Sequence, residues 1–208
     1  MLSISKLKYN YLGSVNLVYQ DIELEQNEQL LILGGSGSGK TTLLHLIGGL
    51  MQLQQGEVTL QGTAYSQLSG YEMDQFRAEQ IGLIFQKPHL ISSLNVLDNL
   101  MLSQMFSKNT QNEEKARTLL QSVGLEGKEQ AKISELSEGQ AQRVALVRAV
   151  INDPALILAD EPTSSLDDDN AHAVLDLLLQ QAERNKSILL ITTHDQRVKE
   201  RISNHYIL

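Results

Sequence analysis

The sequence predicts an α/β fold in which a mostly parallel sheet carries an N-terminal antiparallel β subdomain and an inserted helical subdomain. Apolar runs of strand length indicate the central sheet, and their polar ends fall at Gly34, Gln86, Asp160 and His194. Residues 1–28 alternate polar and apolar side chains, as half-exposed strands do. Residues 93–152 change to the three- and four-residue spacing of amphipathic helices.

The composition is that of an ordinary folded domain with an acidic balance. The 208 residues are 41% hydrophobic and 20% charged, carry a formal net charge of −8 and include no cysteine. The negative charge argues against nucleic acid as a partner, and the lack of cysteine excludes disulfides and thiolate metal sites. No apolar run reaches the roughly 18 residues of a membrane span, and the first residues lack the core of a secretory signal. We therefore expect a cytoplasmic chain whose membrane role comes through a partner.

Residues 29–50 have the pattern of a strand, a glycine-rich loop and a helix. The loop consists of Gly34, Gly35, Ser36, Gly37, Ser38, Gly39, Lys40, Thr41 and Thr42. Glycines let successive backbone N–H groups surround phosphate oxygens, and the N-terminus of the following helix adds partial positive charge.

The spacing G-x-x-x-x-G-K-T assigns roles within this loop. Lys40 would reach the β- and γ-phosphates, and the Thr41 hydroxyl would bind Mg²⁺. The alternative is a flexible Gly/Ser loop, but the spacing and the strand–helix context favour a site for a nucleoside triphosphate.

Two acidic residues follow the apolar run at 155–159. Asp160 is a candidate ligand of Mg²⁺, directly or through water, and Glu161 is a candidate general base. Taken alone they would be read as surface carboxylates. Because ligands of parallel sheets bind outside the carboxyl ends of the strands, we expect both to meet the nucleotide.

Three further positions are candidates with open alternatives. His194 follows the last apolar strand and could contact the γ-phosphate, although a lone histidine is often a core residue. Gln86 could ligate Mg²⁺ or orient water, or be an ordinary loop glutamine. Tyr11 or Tyr9 could stack on the adenine ring, or simply pack against the sheet.

The helical region has two start signals. Thr110 and Glu113 have the spacing of a capping box, and Ser137 and Gln140 repeat it before an apolar stripe. We therefore expect helices to begin after Thr110 and after Ser137.

In order, these motifs resemble the ATP-binding subunits of ABC transporters. The matching segments are a Walker A loop at 34–42, a Q-loop at Gln86, a signature pentapeptide at 136–140, a Walker B strand at 156–161, a D-loop at 164–167 and an H-loop at His194. The resemblance implies a P-loop NTPase of ABC type, with residues 1–92 and 153–208 forming the β subdomain and core and residues 93–152 the helical subdomain. Within that family the motifs are most similar to the LolD/MacB/FtsE group, which serves lipoprotein release, macrolide export and cell division.

The resemblance also implies a mechanism and partners. Two copies would associate head to tail, with each ATP between the phosphate loop of one copy and Ser137, Gly139 and Gln140 of the other. Asp167 would tie the copies together, and Gln86 would signal to an integral membrane permease at the cytoplasmic face of the inner membrane. The runner-up function is nucleotide-gated regulation through a membrane partner without transport. A soluble role in DNA repair or translation is disfavoured, because 96 positions separate Lys40 from Leu136 and the chain has one cassette.

Two features depart from the family pattern. Glu138 stands where the signature usually has glycine, and we expect its carboxylate to face solvent, away from the phosphates. The chain ends at Leu208, where relatives usually continue into further strands, and we expect a frayed rim there.

Overall fold

The computed structural model describes residues 1–11, 16–107, 110–164, 166 and 168–208. The strands within these ranges are β1 (Leu2–Asn10), β2 (Asn16–Val18), β3 (Ile22–Leu24), β4 (Gln29–Leu33), β5 (Gln55–Leu60), β6 (Thr63–Ala64), β7 (Ile81–Ile84), β8 (Leu156–Asp160), β9 (Ile188–Thr192) and β10 (His205–Ile207). The helices are α1 (Lys40–Ile47), α2 (Gly70–Gln80), α3 (Val96–Phe106), α4 (Glu113–Ser122), α5 (Glu138–Val150), α6 (Asp168–Asn185) and α7 (Gln196–Lys199).

The central sheet is parallel and has the order β10-β4-β9-β8-β7. Every residue of β9 is buried, because helices or the second sheet cover both faces. Since the strands run in the same direction, the polar residues that follow them lie along one edge. The predicted α/β fold with a parallel core sheet is confirmed.

The second sheet is antiparallel and is built from the N-terminal strands and the β5–β6 hairpin. Its order is β2-β1-β5-β6, and β3 also pairs with β1. Buried Leu2 and Ile4 alternate with the half-buried Ser3 and Ser5. This alternation is that of a sheet with one face on the core, as predicted for residues 1–28.

Strand β4 contributes side chains to two hydrophobic cores. Leu30 and Ile32 pack toward the N-terminal sheet and α1, whereas Leu31 packs toward the helical layer. Alternate side chains of a strand point to opposite faces, so the strand that leads into the phosphate loop is held from both sides.

The two predicted helix starts have different outcomes. Ser137 caps α5 in a capping box with Gln140, as expected. The start at Thr110 is wrong, because α4 begins at Glu113 and its cap is Asn112, whose side chain accepts from the Lys115 N–H at 2.9 Å. Asparagine is a stronger N-cap than threonine, and it lies nearer the first apolar position of the helix.

The frayed rim expected near Leu208 is also wrong. Residues His205–Ile207 form β10, which pairs in parallel with β4, and the Leu208 N–H donates to the Leu33 carbonyl at 2.8 Å. The expected helical subdomain at 93–152 contains α3, α4 and α5, and its boundaries stay a prediction. None of the helices in the described ranges has the length and apolar character needed to cross a membrane.

Candidate active site

The glycine-rich loop leads directly into the first turn of α1. Gly37 has φ +78° and Gly39 has φ +99°, in the left-handed region that favours glycine. The Lys40 ammonium donates to the carbonyls of Gly34 at 2.8 Å and Gly35 at 2.9 Å, so its side chain folds back over the loop. The loop therefore presents backbone N–H groups and one ammonium at a helix N-terminus, which suits a polyphosphate.

Ser38 gives an independent test of this fit. Its hydroxyl oxygen is buried and has no hydrogen-bond partner. A Cβ on Gly34 would lie 2.5 Å from that oxygen, so the loop closes tightly around it only because residue 34 is glycine. A buried unpaired hydroxyl normally carries a cost, and a phosphate oxygen would be an acceptor for it.

Two side chains with oxygen donors lie beside the loop. The Thr41 hydroxyl donates to the Asp160 carboxylate at 3.0 Å, although the two residues are 119 positions apart. The Thr192 hydroxyl donates to the other carboxylate oxygen of Asp160 and holds it in place. Hard oxygen donors of this kind fit Mg²⁺.

Glu161 is held in a defined orientation next to Asp160. Its backbone has φ +48°, and its N–H donates to the Thr192 carbonyl at 2.9 Å. Its carboxylate accepts from the Thr193 hydroxyl at 3.0 Å and from the His194 N–H at 3.3 Å. The side chain is 17% exposed, which leaves it accessible to water while two donors fix its direction.

His194 lies at the same edge of the sheet. Its Nε2 is 3.7 Å from the Glu161 carboxylate, and its side chain is 58% exposed. The alternative of a buried core histidine is therefore wrong. The imidazole is free to reach a ligand placed over the strand ends.

The two candidate tyrosines occupy different positions. Tyr11 lines a cavity of about 350 Å³ next to the phosphate loop, together with Leu17 and residues of the loop and α1. Its hydroxyl lies 3.0 Å from the Thr42 hydroxyl. Tyr9 does not line this cavity; it packs on the N-terminal core with its ring edge-on to Tyr11. Only Tyr11 is therefore placed to face a ligand held by the loop.

Gln86 lies exposed in the loop that follows β7. Two residues that the sequence analysis missed hold the backbone around it. The Arg148 guanidinium donates to the carbonyls of Pro88 at 3.0 Å and His89 at 2.8 Å, and burial lowers the pKa of this arginine. Buried Gln142 donates to the Phe85 carbonyl at 3.2 Å. Gln142 is a long polar side chain on the apolar stripe of α5, and this feature could have identified it from the sequence.

The signature segment lies at the exposed N-terminus of α5. The Ser137 hydroxyl accepts from the Gln140 N–H at 3.2 Å, and the Gln140 side-chain oxygen accepts from the Ser137 N–H at 2.9 Å. Ser137 and Glu138 are exposed in the single chain, and the orientation of the Glu138 carboxylate relative to the phosphates stays a prediction. None of residues 136–140 lines the cavity at the chain's own phosphate loop.

A second network supports the segment after β9. Asp195 accepts from the Thr163 hydroxyl at 2.7 Å and from the Arg197 guanidinium at 2.6 Å. The hydrogen bonds from Arg197 hold the pKa of Asp195 at about 2, despite the opposing effect of burial. Arg197 also reaches Asp168 at the start of α6. The predicted contact of Asp167 lies outside the described residues.

Comparisons with known proteins agree with this geometry. Residues 19–164 match the ABC transporter family model. The lipoprotein-releasing system ATP-binding protein LolD of Hydrogenovibrio crunogenus is 40% identical over 190 residues, covering 90% of this chain and 83% of the relative. The LolD protein of Legionella pneumophila (strain Paris) is 38% identical over 192 residues, covering 90% of this chain and 84% of the relative.

Solved structures give the same result. The ATP-binding cassette MJ0796, described as a dimeric post-hydrolysis state bound to ADP and Pi, superposes with a TM-score of 0.89. It is 30% identical and covers 100% of this chain and 94% of the cassette. The cbiO1 structure from Clostridium perfringens, part of the ABC transporter complex cbiONQ, has a TM-score of 0.85, 26% identity and coverage of 99% and 83%. With a complete phosphate loop, an adjacent carboxylate pair and this likeness over its whole length, the chain belongs to the ABC transporter family and is one of its ATP-binding, ATP-hydrolysing subunits.

Proposed function

We propose that the chain hydrolyses ATP in a head-to-tail homodimer that drives a membrane permease of the lipoprotein-releasing type from the cytoplasmic face. The observation that carries the proposal is the grouping of Thr41, Asp160 and Glu161 beside the phosphate loop at one edge of the parallel sheet. The LolD relatives favour transport over the alternative of regulation without transport.

The phosphate tail would be held by the N–H groups of the loop, by Lys40 and by the Ser38 hydroxyl. Tyr11 would face the adenine ring, since it lines the cavity beside the loop. Thr41 and Asp160 would hold Mg²⁺, with Gln86 as a further candidate ligand from the loop after β7. When bound, the ion neutralises charge on the β- and γ-phosphate oxygens.

Glu161 would act as the general base for the attacking water. The Thr193 hydroxyl and the His194 N–H orient its carboxylate toward the strand ends. The His194 imidazole would donate a hydrogen bond to the γ-phosphate, where negative charge accumulates. Each of these groups follows β8 or β9, so these two adjacent strands would set the geometry of hydrolysis.

The second half of the site would come from another copy of the chain. Ser137 and Gly139 lie at the N-terminus of a 13-residue helix, where hydroxyl and N–H groups favour an anion. The Gln140 side-chain oxygen is engaged in the cap, so its amide group is the part available to a ligand. The dimeric form of the similar cassettes supports this arrangement.

A groove of about 670 Å³ between α2, α3 and α5 is the proposed docking surface for the permease. Its wall includes Met105 and Phe106, which are 55% and 61% exposed. Phe85, directly before Gln86, also lines it. Exposed apolar surface of this kind indicates a protein partner. Its continuity with the loop at Gln86 supports a cytoplasmic segment of the membrane subunit as the occupant.

The replacement Glu161→Gln tests the catalytic proposal. It keeps the shape of the side chain but removes the base, so turnover is expected to fall about 10²- to 10⁴-fold. With ATP and Mg²⁺ present, the variant should elute as a dimer in size-exclusion chromatography. Glu183→Gln, on the exposed face of α6, is the matched control and should behave as the unmodified chain. Unchanged turnover in Glu161→Gln would contradict the role of Glu161.

The partner proposal needs a separate experiment. The membrane subunit that co-purifies from detergent-solubilised membranes is reconstituted in vesicles with the chain and a lipid-anchored protein. We expect ATP-dependent release of that protein to a soluble acceptor. Phe106→Glu should abolish the stimulation of ATPase activity by the membrane subunit, whereas Val18→Glu, equally exposed but outside the groove, should not. Stimulated turnover without release would favour the regulatory alternative.

A further inference from the structure

We infer that Tyr19 is a positioning residue for the phosphate loop, because its phenol holds the Gly39 carbonyl at the start of α1. The inference rests on the ATP-binding role of this loop. Tyr19 precedes β3 and lies 20 positions before Gly39 in the chain. It belongs to none of the motifs found in the sequence.

The buried Tyr19 hydroxyl donates to a carbonyl that also accepts a backbone hydrogen bond of α1. Tyr19 is 4% exposed, and its hydroxyl donates to the Gly39 carbonyl at 3.1 Å. The same carbonyl accepts the Leu43 N–H at 2.8 Å, a hydrogen bond of the first turn of α1. Both lone pairs of the Gly39 oxygen are therefore used, one by the helix and one by the phenol.

Gly39 needs this external support. It is the N-cap of α1 at φ +99°, and no side chain caps the helix there. A Cβ on residue 39 would lie 3.0 Å from the Tyr19 hydroxyl and 3.1 Å from Leu17, so the close approach requires glycine. The phenol thus contacts the loop at the residue whose conformation is least restricted by its own side chain.

Tyr19 is itself anchored to both sheets. Its N–H donates to the Leu7 carbonyl of β1 at 3.0 Å. The next N–H, that of Gln20, donates to the hydroxyl of Tyr206 in β10 at 2.7 Å. Burial, with smaller contributions from Tyr11 and Tyr206, raises the pKa of Tyr19 above its ordinary value. The phenol therefore stays protonated and donates throughout the physiological pH range.

The support of Gly39 by Tyr19 is expected to affect binding of the phosphate tail of the nucleotide and not binding of its adenine ring. The Gly39 carbonyl is part of the peptide unit whose N–H belongs to Lys40, and this N–H is one of the unpaired donors of the first helical turn. A fixed carbonyl therefore fixes the direction of an N–H that faces the phosphates. Loss of the phenol hydroxyl should weaken binding of any ligand that carries the triphosphate group, with or without adenine.

The test is the replacement Tyr19→Phe, which keeps the ring and removes only the hydroxyl. Isothermal titration with inorganic tripolyphosphate and Mg²⁺ should give a Kd about three- to tenfold higher than for the unmodified chain, the loss typical of one hydrogen bond. The Kd for ATP should rise by the same factor. At saturating ATP, kcat should change by less than about twofold, because the residues that act on water are untouched.

Tyr65→Phe is the matched control. It removes a buried phenol hydroxyl of the same core cluster, which donates to the Ile47 carbonyl at 2.9 Å at the end of α1 opposite the phosphate loop. We expect a lower Tm with unchanged affinity for tripolyphosphate. Hydrogen exchange at the amides of residues 37–42 should be faster in Tyr19→Phe and unchanged in Tyr65→Phe.

Two results would overturn the inference. One is a Tyr19→Phe variant that binds tripolyphosphate as tightly as the unmodified chain. The other is an equal loss of affinity in Tyr65→Phe, which would mean that general destabilisation is the cause. The proposed function is tested independently by the turnover of the unmodified chain and its Glu161→Gln variant.

Discussion

Three carboxylates near the strand ends differ in what their neighbours allow them to do. Asp160 accepts from Thr41 with one oxygen, which faces the phosphate loop, and from Thr192 of β9 with the other. Glu161 accepts from Thr193 and keeps access to solvent. Asp195 is enclosed by hydrogen bonds from Thr163 and Arg197 and serves as structural support. Residue type alone does not separate these roles; the hydrogen-bond donors around each carboxylate do.

The enclosed carboxylate leads to a prediction about pH. Hydrogen bonds from Arg197 lower the pKa of Asp195 to about 2, below the unfolded value of about 3.9. Asp195 therefore stabilises the fold at pH values above about 4, and this contribution disappears as the pH falls through about 2. Asp195→Asn should lower the free energy of unfolding at pH 7 by about 1 kcal/mol. The difference from the unmodified chain should shrink between pH 4 and pH 2.

Urea denaturation at several pH values measures this difference. Asp176→Asn is the control, since Asp176 pairs with Arg201 in an exposed ion pair that contributes little. A difference that is constant with pH would show that Asp195 stabilises the fold by packing alone.

Strand β7 and helix α5 are packed in direct contact, and this contact places Arg148 and Gln142 against the loop of Gln86. A Cβ on Gly82 would lie only 2.3 Å from the carbonyl oxygen of Ala149 and 3.1 Å from Pro154. The strand and the helix can therefore approach this closely only because residue 82 is glycine. A larger residue would push α5, and with it the signature segment, away from the sheet.

Gly82→Ala is accordingly expected to destabilise the fold by about 1–3 kcal/mol, as overpacking against backbone does. Gly70→Ala is the control, because nothing lies within 4 Å of a Cβ at that position and Gly70 begins an exposed helix. There the change should be neutral or slightly stabilising. Urea denaturation measures the free energy of unfolding of both variants, and equal values would contradict the close contact between residue 82 and α5.

The complete molecule holds half of each proposed ATP site. The phosphate loop and the residues after β8 and β9 form one half, while the signature segment at the N-terminus of α5 lies apart from them on an exposed surface. In the proposed head-to-tail dimer the two halves would meet, so that each site is completed by the partner copy.

This arrangement predicts that turnover depends on protein concentration. ATPase activity per chain should rise with concentration and then level off as the dimer becomes saturated, because a lone chain lacks the second half of the site. Ser137→Arg should remove the rise while leaving ATP binding intact, since Ser137 does not line the chain's own cavity. Steady-state assays with parallel binding measurements check both points. Activity per chain that is independent of concentration, at concentrations where the chain is monomeric, would contradict a shared site.

Many structural features of this protein could be predicted from local sequence patterns. The apolar runs predicted the parallel strands, because strands buried on both faces are apolar throughout. The phosphate loop could be found because its chemistry needs glycines, a lysine and a threonine at fixed spacings within a short segment. The N-cap at Ser137 could also be predicted, because a capping box joins residues only three positions apart. At Thr110 the same signal failed, because Asn112 is a better cap nearby.

Other features depend on residues that are distant in sequence and were decided only by the tertiary structure. The contact of Thr41 with Asp160, the orientation of Glu161 by Thr193 and the support of Gly39 by Tyr19 each join separate elements. The choice of Tyr11 over Tyr9 and the pairing of β10 with β4 are of the same kind. Short-range chemistry leaves a pattern along the chain because its partners are neighbours. Long-range contacts leave none, because their partners meet only when the sheets and helices pack.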